Sequence, residues 1–205
     1  MKTKLSKKRA ISTVLTTVII LVSSVVLGSG VVLYGTSLFQ SGTQTENISV
    51  SGTKLWVHTT ATDGLSWGAS GVRNTGDKVV AVDKIQIRGT DIPFTQWYPD
   101  TTISANVFQQ ALNHSGWSGT GGMLVVEPGC ALAVSQDLIG DATDNVCAAA
   151  GSGPVSLNPG QAAIIYYKLN NGTITSLDSG VSTTVSIFAG KAGGPSSVSV
   201  IGVAP

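Results

Sequence analysis

The chain has 205 residues, of which 11% are charged, and a formal net charge of +1. An average soluble domain carries roughly a quarter charged residues, so this composition is unlike that of a cytosolic enzyme. Five of the twelve basic residues lie within the first nine positions, namely Lys2, Lys4, Lys7, Lys8 and Arg9. The rest of the chain has seven basic and eleven acidic residues, a balance of about −4. That balance argues against a nucleic-acid partner.

The amino-terminal segment is apolar over an unusual length. No charged residue occurs from Ala10 to Thr45, and a bilayer is crossed by ~20 apolar residues. The cluster Lys7-Lys8-Arg9 precedes this segment, so the amino terminus is expected to stay cytoplasmic. Three interpretations of this segment are open: a secretory signal cleaved near Gly28-Ser29-Gly30, a plain single-span anchor, or a filament-forming helix. The apolar pattern resumes at Val31, which a discarded signal does not need.

The junction Lys8-Arg9-Ala10-Ile11-Ser12-Thr13 resembles the class III leader junction of archaeal type IV pilins and archaellins. The resemblance covers the first ~45 residues, and it implies cleavage between Ala10 and Ile11 by a prepilin peptidase. It further implies three parts: a basic leader (1–10), an apolar membrane and filament-core helix (11–46), and an extracellular domain (47–205). Leu15 stands where bacterial pilins usually carry a glutamate, which weakens a bacterial assignment.

The helix also has two chemically different faces. At ~100° per residue, small residues form one stripe and larger apolar residues lie opposite, as expected for helices that approach one another closely. The alternative is that the stripe of small residues arises by chance, because the span is rich in Ser, Thr and Gly. The small stripe is Thr13, Thr17, Ser24, Gly28 and Gly35, and the opposite side holds Leu15, Ile19, Val22, Val26 and Leu33.

Beyond residue 47 the periodicity changes to two-residue alternation, which predicts β-strands separated by turns. The fold class predicted is α+β: a long apolar helix followed by an antiparallel β-sandwich of the immunoglobulin-like kind. The runs Val72–Gly76 and Leu157–Gly160 loosely resemble turns of archaellin and pilin outer domains. The predicted strands are Leu55–Val57, Lys78–Ile87, Gly122–Val126, Ala131–Val134, Ala162–Leu169, Val181–Phe188 and Val198–Val203.

Cys130 and Cys147 are the two cysteines, and in an exported protein such a pair is more often a disulfide than a metal site or a nucleophile. Asp137, Asp141 and Asp144, with the neighbouring Asn145, supply hard oxygens that suit Ca²⁺, but the spacing is not an EF-hand and a solvated acidic loop is the preferred interpretation. No cofactor is expected.

Three sequons, beginning at Asn47, Asn113 and Asn171, are candidate glycosylation sites, although chance supplies such motifs in a Ser/Thr-rich chain. The segment Phe94–Gly122 is the least strand-like and the most aromatic. Its rings are interpreted as a cap on the sandwich, with subunit contact, adhesion or sugar stacking as alternatives. Neither His58 nor His114 lies in a metal-ligand or nucleophile motif, so catalysis is not expected.

These features predict a structural role. The expected protein is a membrane-inserted precursor that becomes a subunit of an extracellular pilus-like filament, most simply for adhesion. Its partners are copies of itself, the prepilin peptidase and assembly machinery, and the membrane before assembly. An archaellin of a motility filament, a monomeric anchored binding module and an anchored hydrolase are the alternatives.

Overall fold

The computed structural model describes residues 3–42, 45–60, 65–103, 108–109, 111–114, 117, 132–135 and 145–204. The chain divides into two compact units, Met1–Gln44 and Thr45–Pro205. The described residues of the first form one helix, and the second is β-rich. The α+β class, with one long apolar helix followed by a large, mostly antiparallel sheet, is therefore confirmed.

The helix, α1, runs from Thr3 to Gly42 and has 40 residues. It includes the basic leader from Thr3 onward, which contains good helix formers and neither Gly nor Pro. Its carboxyl end comes at Gly42, within the range 11–46 that was assigned to the apolar helix and its polar end. Cleavage between Ala10 and Ile11 stays a prediction, and both residues lie within this helix.

The second unit contains twelve strands in its described residues. They are β1 (Ile48–His58), β2 (Ser66–Asn74), β3 (Val80–Val82), β4 (Lys84–Ile87), β5 (Thr90–Asp91), β6 (Trp97–Asp100), β7 (Leu132–Ser135), β8 (Asn145–Ala148), β9 (Val155–Leu157), β10 (Ala162–Lys168), β11 (Ser182–Ala189) and β12 (Ala192–Val203). Short 3₁₀ helices occur at Phe94–Gln96 and Ser176–Asp178.

Eight of these strands form one sheet in the order β5-β4-β11-β12-β1-β2-β10-β6, and β3-β9 and β7-β8 form two-stranded sheets. Pairing is antiparallel except between β1 and β12, where Leu55 lies beside Val200 in parallel register. The first and last long strands of the unit therefore lie side by side at the centre of the sheet.

The main apolar core is contributed by both halves of this sheet. One cluster contains Leu55 of β1 and Tyr167 of β10 together with Ile85 of β4 and Ile187 of β11. Because residues from strands far apart in the sheet order share one core, the sheet is curled around it.

Several predicted strands need correction. The predicted Lys78–Ile87 is two strands, because the chain leaves β3 at Asp83 and starts β4 in a different pairing. The segment Phe94–Gly122 contains an edge strand, β6, which pairs with β10. The strands β2, β5, β8 and β9 were not predicted. The predicted strand Gly122–Val126 lies outside the described residues.

Candidate functional site: apolar helix, aromatic face and arginine cleft

The stretch Ser12–Phe39 of α1 is apolar on all sides. Its 28 residues have a mean hydropathy of 2.3 and span roughly 42 Å at 1.5 Å per residue, longer than the hydrocarbon layer of a bilayer. None of its side chains is buried within the chain. A helix that is hydrophobic all round requires lipid or other helices as its surroundings.

The hydroxyl groups of this helix are compatible with such surroundings. Thr17 Oγ1 donates to the carbonyl of Val14 at 2.9 Å, and Ser24 Oγ donates to the carbonyl of Ile20 at 2.7 Å. A polar group in lipid costs free energy unless it is hydrogen-bonded, and these bonds satisfy it inside the helix. The same arrangement is seen at Thr16, Ser29 and Thr36.

The helix glycines have no packing role within their own chain. A Cβ atom built on Gly28, Gly30 or Gly35 would meet no atom within 4 Å. Each glycine costs roughly 1 kcal/mol of helix propensity relative to alanine. The large residues of the opposite stripe, such as Leu15, Val26 and Leu33, are 60–70% exposed. Any packing contacts of the small stripe or of the large apolar stripe must therefore be made with lipid or with other molecules.

Asn74, at the end of β2, fixes the chain where it enters the β-unit. Its Nδ2 donates to the carbonyls of Lys78 and Leu157 at 2.6 and 3.0 Å, and its Oδ1 accepts from Gly76 N at 2.9 Å. The N–H groups of Thr75 and Gly76 in turn donate to the carbonyl of Asn47. The turns after β2 and β9 are thus joined through one buried side chain, whose role the sequence did not reveal.

The sheet carries a second apolar cluster on its opposite face. Trp56, Trp67, Ile164 and Tyr166 form its floor, and Leu112 covers it with help from half-buried residues of the aromatic segment. The described residues that pack against this floor are Tyr98, Ile103, Phe108, Trp117 and Val203. The described residues of the aromatic segment therefore cover a face of the sheet, whereas a cap at the open end of the sandwich was the expectation.

Both histidines belong to this aromatic face. The His114 ring lies 5.4 Å from Trp56 and 4.4 Å from Trp117, and the His58 ring lies 4.9 Å from Trp117, between ring centroids. Trp117 Nε1 donates to the carbonyl of Val203 at 3.0 Å, which attaches the segment to β12. Burial, and secondly the charge of His58, lower the pKa of His114 to about 4. Both histidines thus contribute to the packing of the aromatic face.

Beside the aromatic face lie two adjoining depressions of about 550 and 340 Å³ that share Arg73, Phe108 and Gly160. We call them together the arginine cleft. Arg73 projects from the same face of β2 as Gly71, and the paired residues Ser49 and Ser51 of β1 extend the floor. The remaining lining residues are Asn74, Thr75, Gly76, Thr101, Ile103, Gln109, Gln161 and Ala162.

The other predicted site residues are dispersed. Cys147 lies in β8 and is disulfide-bonded, while its predicted partner Cys130 lies outside the described residues. Asn47 and Asn171 are exposed, whereas Asn113 is half-buried and its carbonyl accepts a hydrogen bond from Tyr166. Asp137, Asp141 and Asp144 lie outside the described residues. Within the described part of the chain no group of three or more His, Cys, Asp or Glu could hold a metal.

The arginine cleft was missed from the sequence because its residues come from four separate segments. No protein-family model and no curated protein matches the chain. The functional proposal therefore rests on the helix, the aromatic face and the cleft.

Proposed function

We propose that the chain is the structural subunit of an archaeal type IV pilus-like surface filament, most simply one used for adhesion. The precursor is inserted in the cytoplasmic membrane, a prepilin peptidase removes residues 1–10, and the assembly machinery transfers the helix into a filament of identical copies. The β-unit then forms the extracellular exterior.

The observation that supports this proposal best is the state of the helix glycines. Gly28, Gly30 and Gly35 weaken the helix and relieve no crowding inside the chain. Copies of the helix packed closely together would make use of them, since small residues allow helix backbones to approach. A single helix in lipid has no such need.

The β-unit is suited to an exterior position. Its own core is closed on both faces of the sheet, so it does not depend on the apolar helix for burial. We further propose that the curled sheet is a sandwich of the immunoglobulin-like kind, which the shared core between distant strands supports. No catalytic role is proposed, because His58 and His114 serve the packing of the aromatic face.

A monomeric, membrane-anchored binding module is the second candidate, and the arginine cleft favours it. A third candidate is an archaellin, the subunit of a motility filament. The leader motif does not distinguish an archaellin from a pilin. Electron microscopy of material shed from the native host, with mass spectrometry of its amino terminus, tests the assignment. Filaments whose subunits begin at Ile11 are expected. Unassembled protein that retains Met1–Arg9 would favour the anchored module.

A further inference from the structure

We infer that the arginine cleft is a binding site for an acidic saccharide, one that presents a carboxylate beside sugar hydroxyls, as a hexuronic acid does. This inference goes beyond filament assembly and does not depend on it. It rests on the charge of the cleft, on the position of one aromatic ring, and on the polar groups around them.

The charge of the cleft is positive and uncompensated by its lining. Arg73 is exposed, and none of the described residues that line the cleft is acidic. Asp100 of β6 does not line the cleft, and its carboxylate accepts hydrogen bonds from Thr102 and from the N–H of Cys147 at 2.7–2.9 Å. A guanidinium group matches a carboxylate through two parallel hydrogen bonds. A single arginine fits one carboxylate better than the several charges of a polyphosphate.

An aromatic ring is held next to this charge. Phe108 lies over Gly71, where an added Cβ would come within 3.0 Å of the ring and 3.3 Å of Ser51. The absence of a side chain at Gly71 thus lets the ring lie close to the sheet while it stays half-exposed. The negative face of an aromatic ring attracts weakly positive C–H bonds, and the flat side of a sugar presents a row of them.

The remaining lining groups suit sugar hydroxyls. Ser49, Ser51, Thr75 and Thr101 contribute side-chain hydroxyls, and Gln109 contributes an amide. Each can both donate and accept, as a sugar hydroxyl does. The volumes fall within the range of small-molecule sites, and the cleft is open enough for a short oligosaccharide.

Two sources could deliver such a saccharide. One is a glycan on the chain itself, because Ser49 of the cleft also completes the sequon that begins at Asn47. The Asn47 carbonyl accepts hydrogen bonds from Thr75 and Gly76, which both line the cleft. A glycan attached to Asn47 would therefore begin beside the cleft. The other source is a glycan of a foreign surface.

The test uses the full chain in detergent micelles, produced in a host that does not N-glycosylate. Calorimetry measures binding of a short oligosaccharide that ends in glucuronic acid and of a matched one that ends in glucose. The acidic probe should bind about tenfold or more tightly than the neutral probe, because one charged hydrogen-bonded pair distinguishes them. High salt should reduce this difference.

Substitutions assign the binding to the cleft. Arg73→Gln should weaken the acidic probe about tenfold and leave the neutral probe unchanged, and Arg73→Lys should fall between. Phe108→Leu should weaken both probes. Lys191→Gln removes an equal charge from an exposed position in the β11–β12 turn and serves as the control. Unchanged thermal midpoints verify that each variant is folded.

The inference is overturned if the two probes bind equally, if neither binds, or if Arg73→Gln has no effect. It is also overturned if a glutamate-rich peptide competes as well as the acidic oligosaccharide, since the ligand would then be a protein carboxylate. The source is decided with chain from a glycosylating host. If the Asn47 glycan fills the cleft, the probe binds only after Asn47→Gln; if the ligand is foreign, it binds with or without that substitution. Both results support the site.

Discussion

Asn74 illustrates how a single side chain can connect segments that are distant in sequence. It is buried, and its amide and carbonyl join the ends of β2 and β9 to the turn that holds Asn47. An aspartate would keep the acceptor for Gly76 but would place an oxygen against two carbonyl oxygens. The donor function of the amide is therefore what this position requires.

Replacement of Asn74 tests this requirement. Asn74→Ala leaves the buried carbonyl of Leu157 and the half-buried carbonyl of Lys78 without their donor, so we expect the free energy of unfolding to fall by about 2–3 kcal/mol. Asn74→Asp should be at least as damaging. Chemical denaturation followed by circular dichroism measures both variants, and Asn171→Ala, at an exposed turn, is the matched control. Equal stability of Asn74→Ala and the control would contradict the expectation.

A surface ion pair gives a second prediction at this scale. Arg88 Nη2 lies 2.5 Å from Asp178 Oδ1, while the other carboxylate oxygen accepts from Thr175 N at 2.8 Å. The hydrogen bond from Arg88, followed by that from Thr175, lowers the pKa of Asp178 below its usual 3.8. The stabilisation is therefore present above pH 3.8 and is lost as the pH falls through the lowered pKa.

Arg88→Gln should reduce stability at neutral pH by about 0.5–1 kcal/mol, as exposed pairs do. The difference between the two proteins should shrink as the pH is lowered below 3.8, where Asp178 becomes protonated in both. Thermal midpoints at a series of pH values measure it. A difference that is constant down to the lowest pH would show that Arg88 acts through packing or its hydrogen bonds to Thr183 and Thr173, and not through its ion pair with Asp178.

At the scale of elements, aromatic side chains beyond β6 pack the described part of the aromatic segment against the sheet. Trp117 contacts both histidines, and its indole N–H is bonded to Val203. Because the pKa of His114 is lowered to about 4, the folded state prefers a neutral imidazole. As the pH falls from 6.5 to about 4, the unfolded chain binds a proton at this histidine and the folded chain does not, so the free energy of unfolding decreases. Below about pH 4 both states are protonated and the decrease is complete.

We expect the wild-type chain to lose more stability between pH 7 and pH 4 than His114→Phe, which cannot be protonated there. Denaturation midpoints of the two proteins over this interval measure the difference. His58→Gln should raise the pKa of His114, since the charge of His58 is the second cause of the shift. Proton NMR of His114 reports that change directly, and an unshifted titration near pH 6.5 in the wild type would refute the burial argument.

The β7–β8 hairpin is the element that a disulfide would hold together. Cys147 of β8 lies opposite Ala133 of β7. Ala133 follows Cys130 by three residues in the sequence. Closing a loop of about 17 residues stabilises a domain by about 3 kcal/mol in the chain-entropy model. Reductant should therefore lower the thermal midpoint of the wild type and leave Cys130→Ser unaffected. Labelling of free thiols in the oxidised native protein would contradict the pairing.

The sequence predicted the elements whose residues follow one strong pattern. The apolar helix and the strands β10 and β11 were found because their apolar residues recur with a regular period, and only the carboxyl-terminal parts of β1 and β12 were found. The strand β2 was missed because its glycines and serines are typical of loops. Gly68 is required there by its neighbours, since a Cβ would overlap the ring of Tyr167, and this crowding exists only after β2 and β10 pair.

The helix stripe and the arginine cleft also differ in how far the sequence alone could predict them. The helix stripe could be proposed from sequence because its residues belong to one continuous segment. The arginine cleft could not, because Ser49, Arg73, Phe108 and Gln161 are brought together by sheet register and by a covering segment. No local pattern encodes that proximity.

At the scale of the whole molecule, the chain combines one part that needs apolar surroundings with one that does not. The side chains of Ser12–Phe39 are not buried by the chain itself, whereas the β-unit buries two apolar clusters of its own. The anchor and filament interpretations agree on this division. They differ in whether the surroundings of the helix are lipid or other copies of the helix.

Gly28→Leu separates these interpretations. Within the chain the added side chain meets nothing, so the subunit itself should fold and insert normally. In an anchor, leucine improves helix propensity and hydropathy and should be tolerated. In a filament it would be forced into a close helix–helix contact, at about 1–3 kcal/mol per contact by analogy with overpacked cores. That cost is repeated along the polymer, so we expect assembly to be lost.

Expression of Gly28→Leu in the native host, with membrane-inserted subunit and shed filaments quantified together, measures this outcome. Val26→Leu adds one methylene on the opposite stripe and is the matched control, and it should assemble more readily than Gly28→Leu. Normal membrane levels with filaments lost only in Gly28→Leu would show that the small stripe forms the contact. Normal filaments in both variants would exclude close packing at Gly28. A host that forms no filaments even with the unmutated chain would instead favour a solitary anchor, because the glycine would then face only lipid.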